Sequence, residues 1–68
     1  MRRLPVEGAE VTVVYLGTTE PGVIAQVHDE GRTLDVETLR GELLRFRLNA
    51  TGWFVTADRS ARLKLASE

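Results

Sequence analysis

Cysteine is absent from the 68-residue sequence, and histidine occurs once. Zinc sites of the usual Cys/His kind and Cys/His nucleophile pairs are therefore excluded. His28 is the one candidate general base of imidazole type, but it lies beside Asp29 and Glu30 at the expected end of a hairpin, where a solvated polar side chain is the simpler interpretation. Carboxylates such as Asp35 would need a deep cleft for acid or base catalysis, and one small sheet offers little depth. We expect a non-catalytic protein with no catalytic residue, no metal site and no cofactor.

Long apolar runs are also missing. No segment is long and apolar enough to span a membrane, and Glu7 and Gly8 interrupt the short apolar start that a signal peptide would have to extend. A chain without cysteine suits an intracellular, reducing compartment. The sequence thus predicts a cytoplasmic protein.

The composition is that of one folded domain, with 43% apolar and 28% charged residues and no room for a second domain. A core this small contributes only about 3 to 5 kcal/mol, so closing the sheet into a barrel or pairing with another chain would help. We divide the chain into an N-terminal arm (1–8), a β domain (9–66) and a tail (67–68).

From Gly22 onward, apolar and polar side chains alternate, as they do in strands that bury one face. A two-residue turn at Glu30-Gly31 pairs Val27 with Leu34, because Gly31 takes positive φ without a Cβ penalty. The side chains expected to face the core are Val23, Ala25, Val27, Leu34, Val36, Leu44, Phe46, Leu48, Trp53, Val55, Leu63 and Leu65.

Turns at 39–41, 49–52 and 58–60 extend this register. The expected pairs are Val36 with Leu44, Leu34 with Phe46, Leu48 with Trp53, Phe46 with Val55, Val55 with Leu63 and Trp53 with Leu65. The outer face then carries one row of His28, Thr33, Arg47, Phe54 and Lys64 and a second row of Gln26, Asp35, Arg45, Thr56 and Arg62. A cross-strand ion pair of Asp35 with Arg45 is expected to contribute about 0.2 to 1 kcal/mol.

The first strand, from Glu10 to Leu16, has an open register. Either Val11, Val13 and Tyr15 or Val14 and Leu16 can face inward. A strand that is apolar on both sides indicates that the sheet curls over it or that a partner covers it. The glycines and Pro21 of residues 17–22 indicate a loop after it. An unclosed meander leaves open edges that invite strand addition, so the first strand is the expected seam of a homo-oligomer.

A helix is the competing interpretation of residues 37–48, which contain Leu, Glu and Arg at helical spacing. Gly41 in its interior would cost about 1 kcal/mol relative to alanine, whereas the strand interpretation uses Gly41 as a turn residue. We favour an all-β fold, a five- to six-stranded antiparallel meander curled into a small barrel, over an α+β fold with a helix at about 37–48. The strand number and length resemble the small barrels of the SH3-like or OB-like type, which serve many unrelated functions. The resemblance covers residues 9 to 66 and carries over no functional residue.

The outer face supplies the candidate ligand-binding residues. Phe54 is expected between Arg47 and Lys64, which would combine a π face for stacking a base with cations for phosphate. Trp53, on the opposite face of the same strand, is expected to belong to the core. The candidate set is Arg45, Arg47, Phe54, Arg62 and Lys64.

The overall charge argues against a nucleic-acid ligand, because the net charge is -1 and the pI is about 5.8, whereas phosphate-binding domains are usually basic. The acidic residues lie mostly in the first third and in loops, so a local basic strip is compatible with this total. The plainer interpretation is that the first strand or the arm covers Phe54 and that this face needs no ligand. The sequence therefore predicts a binding or structural module of unknown ligand, with single-stranded nucleic acid or a protein partner as the candidates and no membrane association.

Overall fold

The computed structural model describes residues 5–65, so the tail and the first four residues of the arm lie outside the described residues. The strands are β1 (Glu10–Tyr15), β2 (Thr18–His28), β3 (Thr33–Thr38), β4 (Leu43–Leu48), β5 (Phe54–Val55) and β6 (Ala61–Leu65). Each pairs antiparallel with the next, and β6 pairs with β1 to close a barrel. The prediction of a small all-β barrel is confirmed.

The helix considered for residues 37–48 is not formed. β3 runs to Thr38, β4 begins at Leu43, and Gly41 adopts a φ of 83° in the turn between them. The N–H of Gly41 donates to the carbonyl of Thr38 at 2.9 Å, which closes this turn. Gly41 therefore lies in the turn that reverses the chain direction between β3 and β4, because a residue in the left-handed region cannot continue either a strand or a helix.

All six strands contribute apolar side chains to the interior of the barrel. The buried core consists of Val11, Val13, Ile24, Leu34, Val36, Phe46, Phe54, Ala61 and Leu63. This set resolves the open register of β1: Val11 and Val13 face the core, Tyr15 packs against it, and Leu16 is fully exposed in the turn after the strand.

β2 begins at Thr18, so the prediction of a loop over residues 17–22 is wrong. The turn is confined to Leu16 and Gly17, and Tyr15 pairs directly with Thr18. Pro21 pairs with β1, but pairing of β2 with β3 starts only at Gly22. A proline is tolerated there because a strand segment with a single neighbour loses little by lacking one N–H.

A β-bulge between Ile24 and Gln26 changes which side chains of β2 face inward. Ala25 is the extra residue, since Ile24 pairs with Val36 and Gln26 pairs with Asp35. Ile24 is 1% exposed and Val23 is 42% exposed, so the expected inward position of Val23 is wrong. One inserted residue inverts the alternation on one side of a bulge.

Beyond the bulge, the predicted register is confirmed from β2 to β4. The carbonyl of Asp29 accepts a hydrogen bond from the N–H of Arg32 at 3.1 Å, and both residues between them, Glu30 and Gly31, have positive φ. This is the turn geometry that follows the twist of a hairpin. The confirmed pairs are Val27 with Leu34, Gln26 with Asp35, Leu34 with Phe46, Asp35 with Arg45 and Val36 with Leu44.

The register of β5 differs from the prediction by one residue. Leu48 pairs with Phe54, and Phe54 pairs with Leu63, so Phe54 faces the core and Trp53 does not. The cause is the loop after β4, in which Asn49 Oδ1 accepts hydrogen bonds from the N–H groups of Thr51 and Trp53. The amide side chain thus stabilises a five-residue loop where a four-residue turn was expected, and Trp53 belongs to the loop.

Closure of the barrel gives β1 a strand neighbour on each side. It pairs with β2 over Glu10–Tyr15 and with β6 over Val11–Tyr15. No open edge of β1 remains for strand addition, so the condition under which this strand was expected to be the seam of a homo-oligomer is not met.

Candidate nucleic-acid interface

Four of the five candidate residues lie on the outer surface of β4 and β6. The side chains of Arg45, Arg47, Arg62 and Lys64 are all exposed. Val55 of β5 pairs with Arg47 on one side and with Arg62 on the other, so these two guanidinium groups flank one small apolar residue. With neighbouring strands about 4.8 Å apart, the two strands that carry them are about 10 Å apart.

Phe54, the fifth candidate, is not on this surface. It is 9% exposed and belongs to the core, so its expected role as a stacking platform is wrong. The apolar run Trp53-Phe54-Val55 shows no alternation, which is why the sequence could not decide which ring faces inward. The predicted row of Arg47, Phe54 and Lys64 is replaced by a row of Arg47, Val55 and Arg62.

Trp53 takes the place of Phe54 as the aromatic residue of the outer surface. It is 46% exposed, which contradicts the expectation that it is core. The guanidinium carbon of Arg62 lies 4.9 Å from the centroid of the Trp53 ring. This cation–π contact restrains both side chains, with an energy of about 0.5 to 1 kcal/mol at an exposed site.

Asp35 limits the contribution of Arg45 to this surface. Arg45 donates from Nε to Asp35 Oδ1 at 2.9 Å and from Nη2 to Oδ2 at 3.3 Å, and His28 Nε2 lies 2.9 Å from Oδ2. Asp35 is 5% exposed, and the hydrogen bonds from Arg45 hold its pKa at about 2, against the opposing effect of burial. The charge of Arg45 is thus largely matched by a carboxylate, whereas within residues 5–65 no carboxylate lies within ion-pair distance of Arg47, Arg62 or Lys64.

The charges of the described residues are separated along the chain. Residues 5–42 carry eight acidic and two basic side chains, whereas residues 43–65 carry one acidic and five basic side chains. Because the strand order around the barrel follows the chain, β1 to β3 form one side of the barrel and β4 to β6 the other. The low net charge therefore conceals an acidic half and a basic half.

A groove of about 520 Å³ lies next to Arg47, between the loops on either side of β5. Arg47 and Arg59 both line it, together with Val55 and Asn49. Arg59 has a φ of 62° in a turn that is tied by hydrogen bonds from Ser60 and Thr56 to the carboxylate of Asp58. Sequence reasoning missed Arg59 because nothing in the pattern indicated that this turn lies next to the outer side of β4.

We define the basic face as Trp53, Arg47, Arg62 and Lys64, with Arg45 and Arg59 at its margins. Within the described residues, no three His, Cys, Asp or Glu side chains are grouped as metal ligands would be. Residues 5–65 also contain no helix with the length and apolar character needed to cross a membrane.

Comparisons with models of protein families, with curated proteins and with solved structures each find no match. The function is therefore inferred from the geometry of the basic face.

Proposed function

We propose that the protein is a non-catalytic binding module of the small-barrel kind, similar to SH3-like barrels, and that its basic face binds single-stranded nucleic acid. The observation that carries the proposal is the exposed ring of Trp53 in contact with Arg62, on a surface where Arg47, Arg62 and Lys64 have no carboxylate partner among the described residues. The absence of cysteine supports placing this module in the cytoplasm.

Each part of the basic face has a separate role in the proposed complex. A base stacks on the ring of Trp53, which contributes about 1 to 3 kcal/mol and needs no particular sequence. Arg47 on β4 and Lys64 on β6, the two strands that flank β5, bind phosphate oxygens. Arg62 already restrains the ring in the free protein, so less side-chain freedom is lost when a base stacks on it.

The shape of the face favours a single strand over a duplex. Reading a duplex requires an element that enters a groove, such as a helix or a two-stranded ribbon. The basic face instead lies on the wall of the barrel, and a base can reach Trp53 only if it is unstacked from its neighbours. Unpaired bases are already available for such a contact in a single strand.

The experiment is a titration of isotope-labelled protein with a mixed-sequence single-stranded oligonucleotide at low and moderate salt, followed by amide NMR and by the fluorescence of the single tryptophan. We expect quenching of Trp53 and shifts confined to β4, β5, β6 and their loops. With phosphate contacts from Arg47 and Lys64, log K should fall against log salt with a slope of about -1.4. Shifts on β1 to β3 alone, or an unchanged spectrum, would contradict the proposal.

Matched variants separate the basic face from general charge effects. Arg47→Gln removes one phosphate-binding charge from the face, and we expect it to weaken binding and to reduce the salt slope by about 0.7. Arg40→Gln removes the same charge from the loop between β3 and β4, where Arg40 is exposed and paired with Glu20 and Glu42. Equal losses in the two variants would indicate that binding follows net charge and not this surface.

A further inference from the structure

An exposed surface on β1 to β4 combines apolar and acidic side chains. Glu10, Val23, Glu37 and Leu43 are paired in succession across β1 to β4 and are all exposed. Leu39 is 79% exposed in the loop after β3 and lies with Val23 in the wall of a groove of about 470 Å³. We call the surface formed by these five residues the acidic groove.

The chemistry of the acidic groove is the complement of the basic face. Both of its charged side chains, Glu10 and Glu37, are carboxylates, and neither forms an ion pair within the described residues. An apolar side chain flanked by cations would bury Val23 and Leu39 and would neutralise both carboxylates. Trp53, in contact with Arg62 on the basic face, is such a group, and every copy of this chain presents it.

We propose that the acidic groove binds the basic face of a second copy of this chain, so that copies associate head to tail. The separation of charge between the two halves of the barrel carries this assignment. The centres of the two surfaces cannot meet within one molecule, since Val23 lies on β2 and Trp53 directly precedes β5, which is three strands away in either direction around the closed barrel. They can meet between molecules, and because the two surfaces differ, the contact leaves one of each free at the ends.

Association of this kind competes with the proposed binding of nucleic acid. The basic face is the shared surface, so an oligonucleotide bound to Trp53 excludes the acidic groove of a second copy. The acidic groove itself takes no part in the proposed nucleic-acid complex. The two functions are therefore separable by substitution.

Sedimentation velocity over a range of protein concentrations tests the association. We expect the mean mass to rise with concentration at about 0.01 M salt, where the Debye length is about 30 Å, and to return to the monomer value at about 1 M salt, where it is about 3 Å. A single-stranded oligonucleotide should also return the protein to one copy per complex. A monomer at every concentration in low salt would overturn the proposal and would leave nucleic-acid binding standing.

Two double variants and their mixture test the head-to-tail geometry. Glu10→Gln with Glu37→Gln neutralises the acidic groove, and Arg47→Gln with Lys64→Gln neutralises the basic face without creating a new complementary pair of surfaces; all four side chains are exposed. We expect each variant alone to be monomeric and their equimolar mixture to form a dimer and nothing larger, because each supplies the surface that the other lacks. The first variant should still bind the oligonucleotide. Circular dichroism of each variant checks that the barrel is intact.

A control variant and two opposite results complete the test. Glu30→Lys reverses an exposed charge in the turn between β2 and β3, outside the acidic groove, and should associate as the unmodified chain does. Association of either double variant with itself would overturn the proposal, since it would show that the contact uses another surface. A mixture that remains monomeric while the unmodified chain associates would overturn the head-to-tail arrangement.

Discussion

Trp53 and Phe54 are consecutive in the chain and lie on opposite sides of the barrel wall. Phe54 pairs with Leu48 and Leu63 and closes the core, whereas Trp53 is exposed and in contact with Arg62. The larger of the two rings is therefore exposed, although a domain of this size has little apolar area to bury in its core. The exposed ring of Trp53 in contact with Arg62 is the observation on which the proposed binding of nucleic acid depends.

Alanine substitutions of these two neighbours should affect different properties, binding for Trp53 and stability for Phe54. Trp53→Ala should leave the fold intact and weaken oligonucleotide binding by about 1 to 3 kcal/mol, because it removes only the stacking surface. Phe54→Ala should cost about 3 to 5 kcal/mol of stability, which is close to the whole stability of so small a core. Urea denaturation of both variants, with the oligonucleotide titration of Trp53→Ala, measures the two effects. If Trp53→Ala unfolded the protein, the assignment of the ring to the surface would be wrong.

The alternation pattern predicted the middle of the barrel correctly because two independent signals agree there. Leu34 and Val36 are apolar between polar neighbours, so the pattern assigns these two side chains to the core. The turn at Glu30 and Gly31 then fixes how β2 meets β3. The ion pair of Asp35 with Arg45 followed from the same register and is present.

The alternation pattern predicted the wrong inward side chain where two adjacent residues are both apolar. It also gave the wrong loop length where a side chain, and not a backbone carbonyl, accepts the hydrogen bonds of the loop. Val23 and Ile24 can each face inward, and only the bulge at Ala25 decides between them. Trp53 and Phe54 have the same ambiguity, which the hydrogen bonds to Asn49 resolve. The pairing of β1 with β6 joins strands from the two ends of the sequence, and the alternation pattern within each strand contains no information about such long-range pairing. Of the candidate site, the cations were placed correctly on the outer surface; their role in binding stays a prediction.

Acid should destabilise the protein partly through Asp35. Its pKa is about 2 in the folded chain, lowered from 3.8 by the hydrogen bonds from Arg45 and then from His28. A carboxylate with a depressed pKa stabilises the fold above its unfolded pKa, and this contribution is lost as the pH falls through the folded value. The shift corresponds to about 2 kcal/mol, fully present at neutral pH and lost between about pH 4 and pH 2.

Asp35→Asn isolates this contribution. We expect the variant to be less stable than the unmodified chain by about 2 kcal/mol at pH 7, because Arg45 loses its charged partner. The difference between the two proteins should shrink as the pH falls from about 4 to about 2. Urea denaturation at three pH values measures it, and a difference that does not depend on pH would show that Asp35 acts through packing and not through its charge.

A side chain at Gly22 is expected to lower the stability of the barrel. A Cβ at this position would lie 2.8 Å from Cγ1 of the buried Val36 and 3.2 Å from the carbonyl oxygen of Glu37. Gly22→Ala should therefore destabilise the barrel by about 1 to 3 kcal/mol, the usual range for overpacking. The double variant Gly22→Ala with Val36→Ala provides the control, because it removes the clashing methyl group. If steric overlap is the cause, adding Gly22→Ala to Val36→Ala should cost less than adding it to the unmodified chain.

The turn between β2 and β3 offers a substitution that should stabilise the protein. Glu30 has a φ of 57° and a ψ of 35°, a left-handed conformation that glutamate adopts at a cost and asparagine adopts more readily. Its side chain is exposed and makes no ion pair within the described residues. Glu30→Asn should therefore raise the free energy of unfolding by about 1 kcal/mol, which corresponds to about 4 to 8 °C in Tm for a domain of this size.

Glu30→Gln separates conformation from charge in this turn. It removes the same negative charge beside Asp29, but glutamine has no greater tolerance of the left-handed region than glutamate. We expect a rise in Tm for Glu30→Asn and a much smaller change for Glu30→Gln. Equal rises in the two variants would show that charge repulsion in the turn, rather than the backbone conformation of Glu30, limits its stability. Neither variant should alter oligonucleotide binding, because the turn lies outside the basic face.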